Sequence, residues 1–150
     1  MISIALNEPE IPQNSGNIAR LCVGLDIELI LIGKLGFSLT DKYLKRAGLD
    51  YWQYLKLTKY KSLEEFLDNT KNKRKVLAST KVDTPYYKFN YLPNDIIVFG
   101  SESRGLPEQF IKDNIENAIT IPMVGMVRSL NLSNSVSIIA YHSLLTLSYF

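Results

Sequence analysis

Two stretches rich in glycine and serine carry most of the side chains in this sequence that could do chemistry. The first is IIVFGSESRGLP over Ile96–Pro107, and the second is IPMVGMVRSLNLSNSVSI over Ile121–Ile138. Together they offer many backbone donors, one carboxylate and two arginines, which are Glu102, Arg104 and Arg128. This set suits a neutral or cationic ligand held by main-chain groups, because neither stretch contributes a lysine or a dense nest of positive charge for a polyphosphate.

A third candidate group lies near the N-terminus, where Asn17 and Arg20 are three residues apart. This spacing places both on one flank of a predicted helix, outside the apolar stripe that begins at Ile18. The prolines and carboxylates before the helix predict a rigid turn that delivers Arg20 to the carboxyl end of the sheet. The alternative is that Arg20 forms a surface ion pair with Glu8 or Glu10.

The sequence lacks the motifs and residues that several reaction classes require. The sequence has neither GxxxxGK[ST] nor a GxGxxG after its first strand, which excludes the common ATPase and dinucleotide loops. It has one histidine, His142, and one cysteine, Cys22, so we expect neither a metal cluster nor a Cys/His dyad. His142 lies in an apolar helix and is predicted to pack. A hydrolase is disfavoured, because GSESRG departs from the nucleophile-elbow spacing. S-adenosylmethionine, a nucleoside bearing a sulfonium, fits the pocket that remains.

The apolar pattern predicts which elements position these groups. Buried strands are expected at Ile2–Leu6, Glu28–Ile32, Val76–Ser79, Ile96–Phe99 and Ala118–Ile121. Helices are expected at about Asn14–Leu25, Thr40–Ala47, Ser62–Asn69 and Pro107–Asn114, and from Asn131 to the C-terminus. The Asn/Ser/Gly cluster at 14–16 is expected to cap the first helix. Alternating strands and helices predict an α/β fold, a parallel sheet with helices on both faces and its ligand loops along one edge.

Composition indicates one globular domain over residues 1–150. The chain is 46% hydrophobic, and its formal net charge of +2 neither demands nor forbids an anionic partner. It has no apolar run long enough for a membrane span and no secretory signal, so we expect a cytoplasmic protein. A run of basic residues at 71–75 is interpreted as a solvated loop.

The predicted C-terminal helix is apolar on two sides. Ile138, Tyr141 and Leu145 populate a face separate from the main stripe, and a helix with two apolar faces needs two partners. We expect its own sheet to be the first partner and the same helix of a second copy to be the other, which gives a homodimer. The main stripe consists of Leu132, Val136, Ile139, Ala140, Leu144 and Leu147.

These stretches match three ordered motifs of a known family. NEPEIPQNSGNIARLC at 7–22, FGSESRGLP at 99–107 and IPMVGMVRSLNLSNSVSI at 121–138 resemble the motifs of the SPOUT-class, TrmH-like RNA methyltransferases. The run LGFSLTDKYLKRAGLDYW at 35–52 is similar to the small TrmL or YibK branch. That resemblance implies 2′-O-methylation of the wobble ribose of tRNA, cytidine or uridine, by S-adenosylmethionine, which leaves as S-adenosylhomocysteine.

The resemblance also implies a fold and a cofactor site. It implies a deep trefoil knot in the C-terminal part of the sheet domain, an exception to the usual connection rules. The knot would form the cofactor pocket, and Gly100 and Gly105 would let the backbone approach the ligand closely. The residues implied to line the pocket are Ala78, Ser79, Thr80, Gly100, Glu102, Gly105, Ile121, Met123, Ser129 and Leu130.

The same resemblance assigns the catalytic and RNA-binding roles. Arg20 would stabilise charge on the 2′-oxygen, since arginine stays protonated, with Asn17 and Asn131 nearby. Tyr141 could contact RNA, although packing at the dimer interface is favoured. A 2′-O-methyltransferase for another RNA position, an RNA-binding protein without catalysis and an unrelated small-molecule α/β enzyme remain alternatives. Phosphate contacts are implied for Arg20, Lys42, Lys45, Arg46, Arg104 and Arg128.

Overall fold

The computed structural model describes residues 1–40, 42, 44, 46 and 51–150. Within them, six strands form one sheet in the order β3-β2-β1-β5-β4-β6. The strands are β1 (Ser3–Asn7), β2 (Glu28–Ile32), β3 (Leu57–Tyr60), β4 (Lys75–Ala78), β5 (Ile96–Phe99) and β6 (Ala118–Ile119). The helices are α1 (Pro12–Gly24), α2 (Leu63–Asn69), α3 (Glu108–Asp113) and α4 (Leu132–Thr146).

All five strand pairings of this sheet are parallel, and helices cover both faces, as predicted. Alternate side chains of a strand point to opposite faces. Leu29 and Leu31 of β2 therefore pack in a cluster with α1 and α4, whereas Ile30 and Ile32 pack in a cluster with α2 and α3. The buried α/β sheet thus explains why the predicted strands are nearly continuous apolar runs.

The apolar pattern of the sequence does not predict β3. Its residues LTKY include an exposed Lys59, and β3 pairs only with β2 at the edge of the sheet. An edge strand can keep polar side chains in water, so no apolar run marks it. The helix predicted at 40–47 lies largely outside the described residues; Lys42, Leu44 and Arg46, which are described, are helical.

The predicted cap of α1 is wrong. The helix begins at Pro12 rather than at Asn14, and no side chain of its N-cap residue, Ile11, caps it. The carboxylate of Glu102, from a distant loop, instead accepts hydrogen bonds from the backbone N–H groups of Glu10 and Ile11 at 2.8 and 3.0 Å. A local capping pattern could not reveal this arrangement, because the capping group is 91 residues away in sequence.

The helix α4 has the two faces that the sequence predicts. Its main stripe packs against the sheet and α1, with Val136, Ile139 and Leu144 at most 1% exposed. On the other face, Tyr141 and Leu145 are 52% and 61% exposed in a single chain. His142 packs edge-on against Tyr86 and Tyr91, as expected. Across the described residues, no helix is long and apolar enough to cross a membrane.

Candidate functional site

A cavity of about 560 Å³ opens at the carboxyl edge of the sheet. The loops that follow β4, β5 and β6 form it, together with the start of α1 and α4. β1 lies between β2 and β5, so the order of strands changes direction at this point of the sheet. Ligands of open α/β sheets bind outside the carboxyl ends of the strands at such a switch point.

All ten residues predicted to bind the cofactor line this cavity, and so does the predicted catalytic residue Asn131. They reach it from three separate segments of the chain, which the fold brings to one edge. A volume of this size is within the usual range for small-molecule sites. That these residues bind a cofactor stays a prediction. The ten are Ala78, Ser79, Thr80, Gly100, Glu102, Gly105, Ile121, Met123, Ser129 and Leu130.

The loop after β5 forms its wall of the cavity by doubling back on itself. The backbone N–H of Gly105 donates to the carbonyl oxygen of Ser101 at 2.9 Å. Gly100 faces this turn, and a Cβ on Gly100 would lie 2.0 Å from the carbonyl carbon of Gly105. Only glycine fits there, because a side chain at this position would collide with the backbone of the turn.

The carboxylate of Glu102 joins two of the predicted motifs. Besides the N–H groups of Glu10 and Ile11, it accepts a hydrogen bond from Asn14 Nδ2 at 3.2 Å. Its negative charge lies at the N-terminus of α1, where the helix dipole stabilises it. Glu102 therefore holds the start of α1 against the cavity, in addition to lining the cavity itself.

Asn14 is a site residue that was not predicted. It is 4% exposed, lines the cavity, and accepts a hydrogen bond from Asn131 Nδ2 at 2.9 Å. Asn131 in turn caps α4, because its Oδ1 accepts from the N–H groups of Ser133 and Asn134. A signal was present, since Asn14 lies four residues before Ile18 on the core-facing side of the helix. A polar side chain in an apolar stripe indicates a buried hydrogen-bond network.

Removing this amide should loosen the cavity. We expect Asn14→Ala to lower the free energy of unfolding by about 2 kcal/mol, since it leaves polar atoms of Asn131 and Glu102 without their buried partner. Denaturant titration measures the change, with the exposed Asn17→Ala as the matched control. Equal stability losses in the two variants would show that the Asn14 network contributes nothing.

Arg20 and Asn17 do not line the cavity, and both are exposed on α1. The guanidinium of Arg20 lies 5.1 Å from the centre of the Tyr51 ring. The alternative ion pair with Glu8 or Glu10 is not formed. Glu8 pairs with Arg104, and Glu10 accepts a hydrogen bond from a serine. Within the described part of the chain, Arg20 has no carboxylate partner, which leaves its charge available.

The other predicted RNA contacts are exposed cations. Lys42 and Arg46 are exposed on the segment after β2, and Arg128 is exposed beside the cavity-lining Ser129. Arg104 lines the cavity and has a largely exposed side chain. Lys45 lies outside the described residues. Phosphate contact by these side chains stays a prediction.

Cys22 does not contribute to this site. It is fully buried in α1, and burial raises the pKa of its thiol to about 12. A thiol of this kind is a poor nucleophile, because the reactive form is the thiolate. Where the structure describes side chains, no group of three or more His, Cys, Asp or Glu could hold a metal ion.

Comparisons with known proteins match this chain over nearly its full length. The sequence profile of the SpoU rRNA Methylase family matches residues 1–141. A protein of Escherichia coli (strain K12), named tRNA (cytidine(34)-2'-O)-methyltransferase, is 41% identical over 151 residues, which covers 99% of this chain and 96% of that protein.

Solved structures match the fold. One, described as "Structural insights into the 2-OH methylation of C/U34 on tRNA", has a TM-score of 0.94 and 40% identity, covering 99% of this chain and 97% of that one. Another is the SpoU methyltransferase AviRb from Streptomyces viridochromogenes in complex with the cofactor AdoMet. It matches with a TM-score of 0.85 and 21% identity, and the match covers 97% of this chain and 60% of AviRb. The second likeness extends to the fold alone.

Proposed function

This chain belongs to the SpoU rRNA methylase family, and from that premise we propose that it methylates the ribose 2′-hydroxyl of the cytidine or uridine at the wobble position of tRNA. The observation that carries the proposal is the cavity at the carboxyl edge of the sheet, which gathers the ten predicted cofactor residues. Near-full-length similarity to the Escherichia coli tRNA methyltransferase supports the choice of substrate.

The residues present fit S-adenosylmethionine. The cavity is walled by backbone groups around Gly100 and by the apolar side chains of Ile121 and Met123. This lining suits an adenosyl group, and Glu102 supplies negative charge near a sulfonium. When bound, S-adenosylmethionine supplies an electrophilic methyl group on a positively charged sulfur. The C-terminal trefoil knot implied by the family resemblance is part of this proposal.

The chain's own task is to orient the 2′-hydroxyl and to stabilise charge on its oxygen. Arg20 is six residues after the cavity-lining Asn14 on α1, about 9 Å along the helix axis. A nucleotide bound at the mouth of the cavity would have to extend along α1 to reach Arg20. The guanidinium stays protonated and would donate hydrogen bonds to the developing alkoxide. Asn17 and Asn131 would orient the ribose on either side.

Methyl transfer to defined tRNAs tests this function. Purified protein is incubated with S-adenosyl[methyl-³H]methionine and tRNA transcripts, and the methylated nucleotide is mapped by mass spectrometry. We expect one 2′-O-methyl group, at position 34, in tRNAs with a pyrimidine there. Methylation elsewhere, RNA binding without transfer, or transfer to a small molecule would each overturn the proposal in favour of one of the other classes.

We further propose that RNA contact requires a homodimer formed through the exposed face of α4. A single chain leaves Tyr141 and Leu145 in water, and this face lies on the helix that begins at the cavity. Phosphate contacts from Lys42, Lys45, Arg46, Arg104 and Arg128 of two copies would then grip the anticodon stem and loop. Because its proposed substrate is tRNA, we place the protein's action in the cytoplasm.

A charge on that face should separate the copies. We expect Leu145→Arg to give a monomer and to lower methyl transfer about ten-fold or more, because an arginine would be buried without a partner. Sedimentation velocity measures the mass, and Leu92→Arg, at another exposed apolar residue, is the control. A Leu145→Arg protein that remains dimeric would contradict an interface at this face.

A further inference from the structure

A second cavity of about 360 Å³ lies beside the first one. Ser103 and Arg104 line both cavities, so they form a shared wall. The remaining polar lining comes from Glu8 and Glu10, after β1, and from Lys34, after β2. Of the residues that line this second cavity, the proposed function uses only Arg104, as a phosphate contact. We propose that it receives the base of the nucleotide to be methylated, and that Glu8 reads the 4-amino group of cytosine.

The walls of this cavity are held in place by backbone contacts. The N–H of Gly36 donates to the carbonyl oxygen of Pro9 at 2.9 Å. The N–H of Glu8 donates to the carbonyl oxygen of Ile32 at 2.8 Å. A Cβ on Gly36 would lie 2.6 Å from the carbonyl oxygen of Glu10, so the two loops touch through their main chains. A site that discriminates between bases needs such pre-formed walls.

Two charged groups in the cavity have hydrogen-bonding capacity that the described residues do not use, and they are Glu8 and Lys34. One oxygen of Glu8 accepts from Arg104 Nη2 at 3.3 Å, and one oxygen of Glu10 accepts from Ser103 Oγ at 2.6 Å. The described residues provide no donor for the other oxygen of Glu8 and no acceptor for the Lys34 ammonium, whereas Glu10 is held further by Ser101 and by the backbone of Ser103. The hydrogen bond from Ser103 holds the pKa of Glu10 below its ordinary value. The cavity therefore presents an acceptor beside a cationic donor.

This pattern matches the edge of cytosine. Its 4-amino group is a donor that carboxylates accept, and its N3 and O2 are acceptors that an ammonium can satisfy. Uracil presents O4 where cytosine has the amino group, and an oxygen opposite a carboxylate is repelled. A phosphate is a poor occupant for the same reason, since two carboxylates face it. Proteins read single-stranded RNA loops through hydrogen bonds of this kind to the edges of unstacked bases.

The shared wall explains why the base would be that of the target nucleotide. Its ribose must present the 2′-hydroxyl to the first cavity, and the base is attached to the same ribose. With Arg104 and Ser103 forming the common wall, one nucleotide can reach both cavities. This inference rests on the proposed function, because it takes a tRNA wobble nucleotide as the substrate.

The test compares three anticodon stem-loops that differ only at position 34. They carry cytosine, uracil or 2-pyrimidinone, which is cytosine without its 4-amino group. kcat/KM for methyl transfer is measured with the unaltered protein and with Glu8→Gln, Glu10→Gln and the control Glu64→Gln, an exposed carboxylate on α2. Thermal unfolding and S-adenosylhomocysteine binding verify that each variant is folded. Glu10→Gln, whose carboxylate is already held by Ser103, is the comparison within the cavity. If Glu8→Gln is not folded, the preference of the unaltered protein for cytosine over 2-pyrimidinone carries the test.

We expect the unaltered protein to prefer cytosine over both analogues, and Glu8→Gln to lower the cytosine-to-uracil ratio about ten-fold. Glutamine can donate to O4, so the rate with uracil should be kept or rise. Glu64→Gln should leave all three rates unchanged. A folded Glu8→Gln protein with an unaltered ratio would overturn base reading while the proposed function stands. If the unaltered protein methylates none of the three RNAs at position 34, the proposed function itself fails.

Discussion

Replacing Arg20 by alanine is expected to lower the rate of methyl transfer about 10³-fold, the usual effect of losing a charge-stabilising donor. The affinity for S-adenosylmethionine should stay within about two-fold of the original, because this loss acts on the transition state alone. Cofactor affinity should be unaffected because Arg20 is exposed on α1 and does not line the cavity. Single-turnover kinetics measures the transfer step, and isothermal titration calorimetry measures cofactor binding.

Arg20→Lys is the matched variant for this experiment. Lysine keeps the positive charge but not the planar fork of donors, so we expect partial activity that lies between the alanine variant and the unaltered protein. If Arg20→Ala lost cofactor binding together with turnover, Arg20 would be a structural residue of α1. Its contact with the Tyr51 ring would then be the feature to examine.

Replacing Gly100 by alanine should damage both the fold and the cavity. The added Cβ would lie 2.0 Å from the carbonyl carbon of Gly105 and 2.2 Å from the backbone nitrogen of Leu106. Because both contacts are with backbone, the turn after β5 must move. We expect the free energy of unfolding to fall by about 3 kcal/mol. Binding of S-adenosylhomocysteine should be lost below the unfolding temperature. Denaturant titration and calorimetry measure the two effects.

Gly24→Ala is the control for this variant. Gly24 ends α1, and a Cβ there would meet nothing within 4 Å. Alanine is the better helix former, so stability should be unchanged or rise by up to about 1 kcal/mol. A Gly100→Ala protein as stable as Gly24→Ala would mean that the turn can yield, and that the close backbone approach is not needed.

The buried parts of this fold are the parts that the sequence predicts well. β1, β2, β4 and β5 lie within one or two residues of their predicted positions, because strands buried on both faces must be apolar. β3 at the edge of the sheet has no such requirement and was missed. The second apolar face of α4 was also visible in the sequence, since its spacing is independent of what covers it.

The site was predictable to the extent that its chemistry is local in sequence. The cofactor residues implied by the family resemblance line one cavity, because each ends or follows a strand at the same edge of the sheet. What the sequence could not provide was the pairing of distant groups. Asn14 contacts Asn131, 117 residues later, and Glu102 caps a helix whose own residues suggested a different start. Such pairings depend on the tertiary fold.

The reach of Glu102 to the start of α1 has a consequence for the affinity of the two substrates. The carboxylate of Glu102 connects two parts of the site, the loop that would contact the adenosyl group and the helix α1 that carries Arg20. Ordering of the loop therefore also orders the helix. Ordering these parts costs conformational entropy. If the first ligand has already ordered the loop, the second ligand binds without that cost. We therefore expect the two substrates to load cooperatively, with nucleic acid binding more tightly once the small molecule is in place.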